Sequence, residues 1–185
     1  DCHYKANRTD CENENGSENK LLLIYTSYTA TQSQWNGWNR EHVWPKSLGG
    51  NSTTKGGADL HHIRPSDAKI NSTRNNDLYG NVTGGKLVTG TDKFNTVAGG
   101  YSGNGYFEPF DNVKGDVARI CLYVYVRWGS AWGADSITEV FQSVDVLLEW
   151  CELDPVDTWE MGRIEVVENI QGNRNVFIDY PELAW

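Results

Sequence analysis

The sequence predicts an α+β fold, because its two parts follow different hydrophobic patterns. Between residues 20 and 112, short apolar segments alternate with turns rich in glycine, serine and asparagine, which is typical of strands and loops. In the last third, apolar residues recur every three or four positions, as one face of a helix requires. The longest apolar runs, 21–25 and 120–126, are shorter than the ~18 residues of a membrane span. We therefore expect no membrane segment.

The first strand is expected after a polar lead-in. Residues 1–20 are rich in asparagine and glutamate and predict a loop-rich segment. The stretch "KLLLIYTSY", which starts at Lys20, predicts a strand or a buried segment. The glycine-rich residues 80–112 predict loops and short strands. Because the chain begins at Asp1 without a methionine, we expect a processed or trimmed N-terminus, which is compatible with a removed signal peptide.

A strand–loop–strand–helix unit is predicted ahead of the glycine-rich stretch. The segments "REHVWP" (40–45) and "DLHHIRP" (59–65) each end at a proline, which favours extended geometry in the residue before it. A glycine- and serine-rich connection, 47–58, joins them. The helix follows the second proline, with Ser66 or Asp67 as its N-cap, and is expected to end at the asparagines that follow.

Three helices are predicted to pack together and support the loop-rich half. In the second of them, an apolar stripe runs from Ile137 to Leu148. In the third, Asp154 is the expected N-cap, with a proline in the first turn, and Gly172 is the expected stop. These helices are predicted at 112–129, 135–151 and 154–172.

Four cysteines allow three disulfide pairings. Cys2 and Cys11 enclose a short polar loop, whereas Cys121 and Cys151 lie in apolar segments with helical periodicity. We favour the pairs Cys2–Cys11 and Cys121–Cys151, and free thiols are the alternative. No C-x-x-C spacing occurs, which disfavours a zinc or redox role. Disulfides would indicate a secreted or periplasmic protein.

Positive charge is concentrated in the strand–loop–strand–helix unit of an otherwise acidic chain. The whole chain has a formal charge of −9, whereas residues 36–76 carry six basic and three acidic side chains, a net of +3. This reversal of sign could focus an anionic substrate onto one patch, and ordinary surface charge is the alternative. The charged residues of the segment are Arg40, Glu41, Lys46, Lys55, Asp59, Arg64, Asp67, Lys69 and Arg74.

The same segment contains side chains that suit phosphodiester hydrolysis. His42 has an ordinary pKa of about 6.5, which suits a general base near neutral pH. Glu41 and the amide oxygen of Asn71 could form a sparse oxygen site of the kind that Mg²⁺ prefers. Arg64 or Arg74 could hold a phosphate through its guanidinium group. A Glu–His pair by itself, however, more often belongs to a surface or a helix cap.

The other polar and aromatic residues of the segment each have a structural alternative. His61 and His62 are expected on a strand, one facing inward and one outward, as structural histidines rather than zinc ligands. Asp59 could orient a histidine or pair with an arginine. Trp44 could stack on a base, although tryptophans on short strands more often belong to the core. Asn75 could simply end the helix.

Two long motifs resemble a known family. "WNREHVWPKS" (38–47) and "DLHHIRPSDAKINSTRNN" (59–76) are similar to the motifs of the bacterial endonuclease I family of non-specific, mostly periplasmic or secreted nucleases. The similarity extends in order from Lys20 to Trp185 and includes the C-terminal "DPVDTWEMGRIEVVENIQGNRNVFIDYPELAW". It implies a ββα-metal (His-Me finger) unit at 36–76, embedded in a mostly helical single domain with long loops.

The resemblance also implies roles for individual residues. His42 matches the general base that activates water, and Glu41 and Asn71 match the two protein ligands of one divalent ion. That ion is usually Mg²⁺, and Mn²⁺ or Ca²⁺ could occupy its place. Enzymes of this family cut both DNA and RNA and leave 5′-phosphate ends. We accordingly expect a monomeric, sequence- and sugar-non-specific endonuclease that occupies 1–185 as one domain, with 113–172 as its supporting helices.

The remaining site residues are expected to bind the phosphate, contact the substrate or support the site. Some relatives place a phosphate-stabilising arginine between the two strands, where this chain has only Lys46 and Lys55, so the role passes to Arg64 or Arg74 or is weaker. His62 stands where relatives have asparagine. Expected substrate contacts are Arg40, Trp44, Lys46 and Asn75, and expected supporting residues are Asp59, His61 and His62.

Two rival functions remain open. A tryptophan-rich domain could bind carbohydrate or nucleic acid without cutting it. Alternatively, the enzyme could act preferentially on RNA. Convergence of Glu41, His42 and Asn71 on one place would argue against the binding module, and parallel assays on DNA and RNA would decide the second question.

Overall fold

Strands and loops dominate the N-terminal part of the protein and helices the C-terminal part, so the α+β prediction is confirmed. The computed structural model describes residues 9–10, 20–26, 28–31, 37–50, 56–91 and 97–185. The strands are β1 (Lys20–Leu23), β2 (Tyr28–Thr31), β3 (Trp38–His42), β4 (Ile63–Asp67), β5 (Leu78–Tyr79), β6 (Lys86–Thr89), β7 (Ala98–Gly103) and β8 (Tyr106–Glu108). The α-helices of four or more residues in the described part are α1 (Ala68–Arg74), α2 (Asp111–Val124), α3 (Val144–Leu153), α4 (Thr158–Gln171) and α5 (Val176–Asp179).

The described strands form three small sheets. β1 and β2 pair as an antiparallel hairpin, so the segment predicted as one strand from Lys20 is divided by a turn. β3 and β4 form a second antiparallel pair. The third sheet has the order β5-β8-β7-β6 and includes most of the glycine-rich stretch. The backbone N–H of Ile24, which follows β1, donates to the carbonyl of Pro65 at 2.9 Å and so joins the hairpin to β4.

α1 begins and ends where the sequence predicts. Asp67 is its N-cap, because Oδ1 accepts hydrogen bonds from the backbone N–H groups of Lys69 (2.8 Å) and Ile70 (3.1 Å). The other oxygen of Asp67 accepts from the backbone N–H of Thr91 at 2.9 Å, which fixes the start of the helix against the chain after β6. Asn75 follows the helix with a positive φ of 51°, which asparagine adopts more readily than most residues.

The second C-terminal helix, α3, begins at Val144 rather than near residue 135. The backbone just ahead of it is committed to β5, where Tyr79 makes two backbone hydrogen bonds, of 2.8 and 2.7 Å, with residues 140 and 142. Because these groups bond to a strand, they are not available for a helical ladder. Ser143 then caps α3 by accepting a hydrogen bond through its hydroxyl at 3.1 Å.

The third C-terminal helix, α4, also begins later than predicted, because Asp154 has a different role. Its Oδ2 accepts from the backbone N–H of Gly115 in α2 at 2.9 Å. Asp157 caps α4 instead and accepts from the backbone N–H of Glu160 at 2.8 Å. The predicted end at Gly172 is confirmed, with a φ of 84° in the left-handed region that favours glycine.

Cys121 on α2 and Cys151 on α3 are free thiols, so the predicted Cys121–Cys151 disulfide is wrong. Both side chains are buried in the main hydrophobic core, where each packs as a small apolar group. Burial raises the pKa of Cys151 to about 11, which keeps the thiol protonated. The predicted Cys2–Cys11 pair lies outside the described residues. Within the described part of the chain, none of the helices has the length and apolar character to cross a bilayer.

Gly115 lies where α2 packs closely against the end of α3, so a substitution there tests that packing. A Cβ at this position would overlap the carbonyl oxygen of Asp154 and crowd the guanidinium of Arg119. We expect Gly115→Ala to lower the free energy of unfolding by ~1–3 kcal/mol, because backbone must shift to make room. The matched control is Gly162→Ala in α4, where a Cβ meets nothing within 4 Å, and helix propensity predicts a gain of ~0.5–1 kcal/mol. Urea denaturation measures both, and equal stability of the two variants would contradict the packing argument.

Candidate active site

β3, β4 and α1 bring the predicted site residues into one small unit. β3 and β4 are antiparallel, with His42 opposite Ile63, and α1 follows β4 without an intervening loop. α1 also packs on β3, because the side-chain amide of Asn71 donates to the backbone carbonyl of Arg40 at 3.2 Å. The same amide donates to Oδ1 of Asn39 at 2.7 Å. The predicted strand–loop–strand–helix order is therefore present in the structure.

His42, the predicted general base, ends β3 with its ring fixed in one tautomer. Its Nε2 lies 3.1 Å from the carbonyl oxygen of Gly57. Because a carbonyl can only accept, Nε2 carries the hydrogen and Nδ1 keeps its lone pair. Nδ1 is buried and has no hydrogen-bond partner among the described residues. Burial, followed by the influence of His62 and Lys46, lowers the pKa of His42 to about 3, so the ring is neutral near pH 7.

Glu41, a predicted metal ligand, is buried beside His42 and held at one oxygen. Its Oε1 accepts a hydrogen bond from the hydroxyl of Tyr25 at 2.7 Å. The same oxygen lies 3.4 Å from Nη1 of Arg74. Burial raises the pKa of Glu41 above its ordinary value, although Arg74 and Tyr25 oppose the rise. A buried carboxylate with this support is a suitable anionic ligand for a cation.

The oxygens of Glu41 and Asn71 fit a hard divalent ion. Because the amide nitrogen of Asn71 is engaged by β3, its Oδ1 remains available as an acceptor. Carboxylate and amide oxygens are the ligands that Mg²⁺ takes, usually with several waters or phosphate oxygens. In the described ranges, no group of three or more His, Cys, Asp or Glu side chains is arranged to hold a metal. By their chemistry, the carboxylate of Glu41 and the amide of Asn71 suit a site in which water or phosphate supplies the other ligands.

Arg74, predicted to contact the phosphate, is directed into the protein instead. Its side chain is only 1% exposed. Nη2 donates to the carbonyl of Val43 at 2.9 Å, and the guanidinium lies 4.4 Å from the ring centroid of Tyr79. Burial alone would lower the pKa of Arg74, but Tyr79 and Glu41 raise it above its ordinary value. Arg74 therefore supports Glu41 and the end of β3, and is too enclosed to hold a substrate phosphate.

Arg64, the other predicted phosphate-binding arginine, is 3% exposed and committed elsewhere. Its Nε donates to Oδ1 of Asp10 at 2.6 Å. Its guanidinium also lies 3.8 Å from Asp116 and 4.6 Å from the ring centroid of Trp159. Arg163 binds the same carboxylate of Asp10 from α4. These contacts give Arg64 a structural role, because its charge is already neutralised inside the protein.

The predicted substrate contacts fall into two groups. Arg40 is half-buried on β3 and Lys46 is exposed in the turn after it, and both influence the pKa of His42. Asn75 is exposed at the end of α1. Trp44, in contrast, is fully buried and donates through Nε1 to the carbonyl of Leu48 at 2.8 Å, so it belongs to the core rather than to a stacking surface. Lys55 lies outside the described residues.

Asp59, His61 and His62 hold the turn that orients His42. His61 and His62 are both buried and lie in the turn before β4, so the prediction of one inward and one outward histidine on a strand is wrong. Nε2 of His62 lies 2.8 Å from the carbonyl of Gly56, next to the Gly57 carbonyl that faces His42. His61 instead bonds through Nε2 to a carbonyl after α4, at 3.1 Å.

The carboxylate of Asp59 joins this turn to the helices. Its Oδ2 accepts from Tyr123 Oη at 2.8 Å and Trp128 Nε1 at 2.9 Å. Its Oδ1 accepts from the backbone N–H of His61 at 2.9 Å and from Gln171 Nε2 at 2.7 Å. Burial would raise the pKa of Asp59, but these hydrogen bonds hold it below its ordinary value. Asp59 thus neither orients a histidine ring nor pairs with an arginine, and anchors the backbone instead.

Several supporting residues are not identified by sequence reasoning. Trp128 lies in a π-helical segment, Tyr125–Gly129, that continues α2. Such a segment changes the direction of side chains within a helix, and here Trp128 reaches Asp59. Tyr25 reaches the site from the turn after β1 and Tyr79 from β5, and both lie outside the two motifs. Their local sequence offers no signal beyond an aromatic residue in or near a short strand.

Comparison with known proteins assigns the chain to a family. A family model described as endonuclease I matches residues 3–182. This match covers nearly the whole chain, so the chain belongs to the endonuclease I family, as the sequence motifs indicate.

Individual relatives are similar over most of this chain. An extracellular ribonuclease of Bacillus amyloliquefaciens is 36% identical, over 95% of this chain and 63% of the relative. An extracellular ribonuclease of Bacillus subtilis (strain 168) is 38% identical, over 90% of this chain and 60% of the relative. A protein named Endonuclease-1 from Buchnera aphidicola (subsp. Acyrthosiphon pisum, strain APS) is 25% identical, over 80% of this chain and 60% of the relative. The chain thus spans about three-fifths of the length of these curated relatives.

Proposed function

We propose that the chain is a secreted or periplasmic, monomeric endonuclease that hydrolyses DNA and RNA with one divalent metal ion. The observation that carries this proposal is His42, whose buried Nδ1 lone pair has no partner among the described residues, directly after Glu41 on the strand to which the side chain of Asn71 is bonded. Membership of the endonuclease I family supports nuclease chemistry. The names of two relatives, both extracellular ribonucleases, support secretion and action on nucleic acid.

The proposed reaction is hydrolysis with His42 as general base. Nδ1 of His42 accepts a proton from the attacking water, whose oxygen forms a bond to phosphorus. The bond between phosphorus and the 3′ oxygen breaks, and that oxygen takes up a proton from solvent. The products are a 5′-phosphate and a 3′-hydroxyl. The hydrogen bond from Nε2 to Gly57 holds the ring in this orientation and stabilises its protonated form.

Glu41 and Asn71 are the residues that would hold the ion, as Mg²⁺ with Mn²⁺ or Ca²⁺ as replacements. When bound, such an ion polarises a phosphoryl oxygen and neutralises charge on the leaving oxygen. Arg74 keeps Glu41 in place from inside the protein. Arg40 and Lys46 are the cations that we assign to the substrate phosphate, because they lie near His42 and, unlike Arg64 and Arg74, are not enclosed.

Lack of specificity follows from the chemistry of the proposed site. Attack by water needs no 2′-hydroxyl, so both deoxyribose and ribose substrates are suitable. Contacts from Arg40 and Lys46 to backbone phosphates carry no sequence information. A preferential ribonuclease is the second candidate, because two relatives carry that name.

Cleavage of supercoiled plasmid and of a single-stranded RNA, each with Mg²⁺ or with EDTA, tests the proposal. We expect both substrates to be cut in Mg²⁺ and neither in EDTA, with 5′-phosphate ends that a ligase can join. Cleavage of RNA alone would identify the second candidate. Cleavage of both substrates in EDTA would contradict the metal-dependent mechanism, and binding without cleavage would indicate the binding module.

A further inference from the structure

We infer that Tyr25 is a positioning residue for the metal site, because its hydroxyl fixes the rotation of the Glu41 carboxylate. This inference rests on the proposed function, in which Glu41 is a ligand. Neither sequence motif includes Tyr25, which lies 16 positions before Glu41. Its hydroxyl nevertheless donates a hydrogen bond of 2.7 Å to Oε1 of that carboxylate.

The backbone of Tyr25 has an unusual conformation that places its side chain at the site. Its φ is 76°, in the left-handed region that large side chains rarely adopt. The preceding residue, Ile24, is bonded to Pro65 of β4, so the chain must turn directly beside the site. The ring of Tyr25 is 1% exposed and packs edge-on against Phe107, with 5.0 Å between centroids. Strained residues that persist in buried positions are often those that aim a functional group.

The hydrogen-bond pattern gives the Tyr25 hydroxyl one direction. Tyr25 Oη lies 2.7 Å from Tyr79 Oη as well as from Glu41, and Tyr79 Oη lies 3.1 Å from the Val43 carbonyl. Three contacts thus share only two phenolic hydrogens. Because a carboxylate oxygen can only accept, Tyr25 donates to Glu41. The hydrogen of Tyr79 is then shared between the Tyr25 hydroxyl and the Val43 carbonyl, which also accepts from Arg74 at 2.9 Å.

Two described side chains hold the Glu41 carboxylate at the same oxygen. Tyr25 and Arg74 approach Oε1 from different segments, and neither contacts Oε2. Two contacts at one oxygen restrain the rotation of the carboxylate, and in this inference Oε2 is the oxygen that would face the cation. Residues that orient metal ligands in this manner typically change metal affinity or activity by about 10- to 100-fold when they are removed.

The variant Tyr25→Phe removes the hydroxyl and keeps the packed ring. We expect its Kd for Mn²⁺, measured by isothermal titration calorimetry, to rise by roughly 10- to 100-fold. The cleavage rate at saturating Mn²⁺ should stay close to that of the unaltered protein, because His42 is untouched. Tyr79→Phe should shift the Kd in the same direction by less, since Tyr79 acts through Tyr25. It also provides the test if Tyr25→Phe does not fold, which circular dichroism would reveal.

The matched control is Tyr125→Phe, which also removes one hydroxyl hydrogen bond, to the carbonyl of Asp135 at 3.1 Å. Its Mn²⁺ affinity should be unchanged. If the unaltered protein binds Mn²⁺ and cuts nucleic acid but folded Tyr25→Phe binds the ion equally well, the positioning role is wrong and the proposed function stands. If the unaltered protein neither binds Mn²⁺ nor cuts, both are overturned.

Discussion

His42→Ala is expected to lower the rate of plasmid nicking by about 10²- to 10⁴-fold, the usual contribution of a general base. The physical reason is the position of Nδ1, whose lone pair is buried without a described partner while Nε2 is fixed on Gly57. Alanine leaves no group at that position to accept the proton of the attacking water. The rate at saturating Mg²⁺ in a supercoiled-plasmid assay measures the effect.

The control for this variant is its own metal binding. Glu41 and Asn71 are unchanged, so His42→Ala should still bind Mn²⁺ with nearly the affinity of the unaltered protein. Its far-UV circular dichroism should also be unchanged, because Asp59 holds the neighbouring turn independently of His42. Cleavage at an undiminished rate by a folded, metal-binding variant would refute the general-base assignment.

Local features of the fold were predictable because the residues that determine them are close in sequence. Asp67 caps α1 through bonds to residues two and three positions ahead. Gly172 ends α4 through its own backbone conformation. The adjacency of Glu41 and His42, and the helix that brings Asn71 to β3, follow from one strand–loop–strand–helix segment. In each case the decisive interaction is encoded within a few residues or within one motif.

The orientations of the Arg64 and Arg74 side chains could not be predicted from the sequence. Arg64 lies on β4 and Arg74 is the last residue of α1, and the sequence around each arginine does not determine the direction of its side chain. Their directions depend on distant partners, since Arg64 binds Asp10, 54 positions away, and Arg74 contacts Glu41, 33 positions before it along the chain. Buried charges require such partners, so the partners decide which cations remain for a substrate.

The predicted starts of α3 and α4 are wrong for a related reason. The apolar stripe from Ile137 predicts a helix, but the backbone of 140–142 bonds to Tyr79 of β5. Asp154 resembles an N-cap in sequence, yet its carboxylate binds the backbone of Gly115. Long-range backbone contacts thus override local propensity at both positions. The same type of contact conceals Tyr25, which becomes relevant only when the hairpin is joined to β4.

Glu41→Gln is expected to abolish most Mg²⁺-dependent cleavage, with a loss on the order of 10²-fold or more, because an ion that polarises a phosphate contributes several kcal/mol. Glutamine keeps the size of the side chain but removes the charge that attracts the ion. It also leaves Arg74 buried beside a neutral partner, which can cost about 3–5 kcal/mol of stability. Nicking rates over a range of Mg²⁺ concentrations, together with urea denaturation, measure both effects.

Asn71→Ala separates metal binding from this loss of stability, because Asn71 is only half-buried and carries no charge. We expect it to require much more Mg²⁺ for half-maximal cleavage, since one of the two protein oxygens is gone. The matched controls are Glu165→Gln and Asn169→Ala, both exposed on α4, and neither should change the Mg²⁺ requirement. EDTA should abolish cleavage by every variant. If Asn71→Ala and Asn169→Ala show the same Mg²⁺ dependence, the ion is not held by α1. The assignment of His42 as general base with Glu41 and Asn71 as the metal ligands would then be wrong.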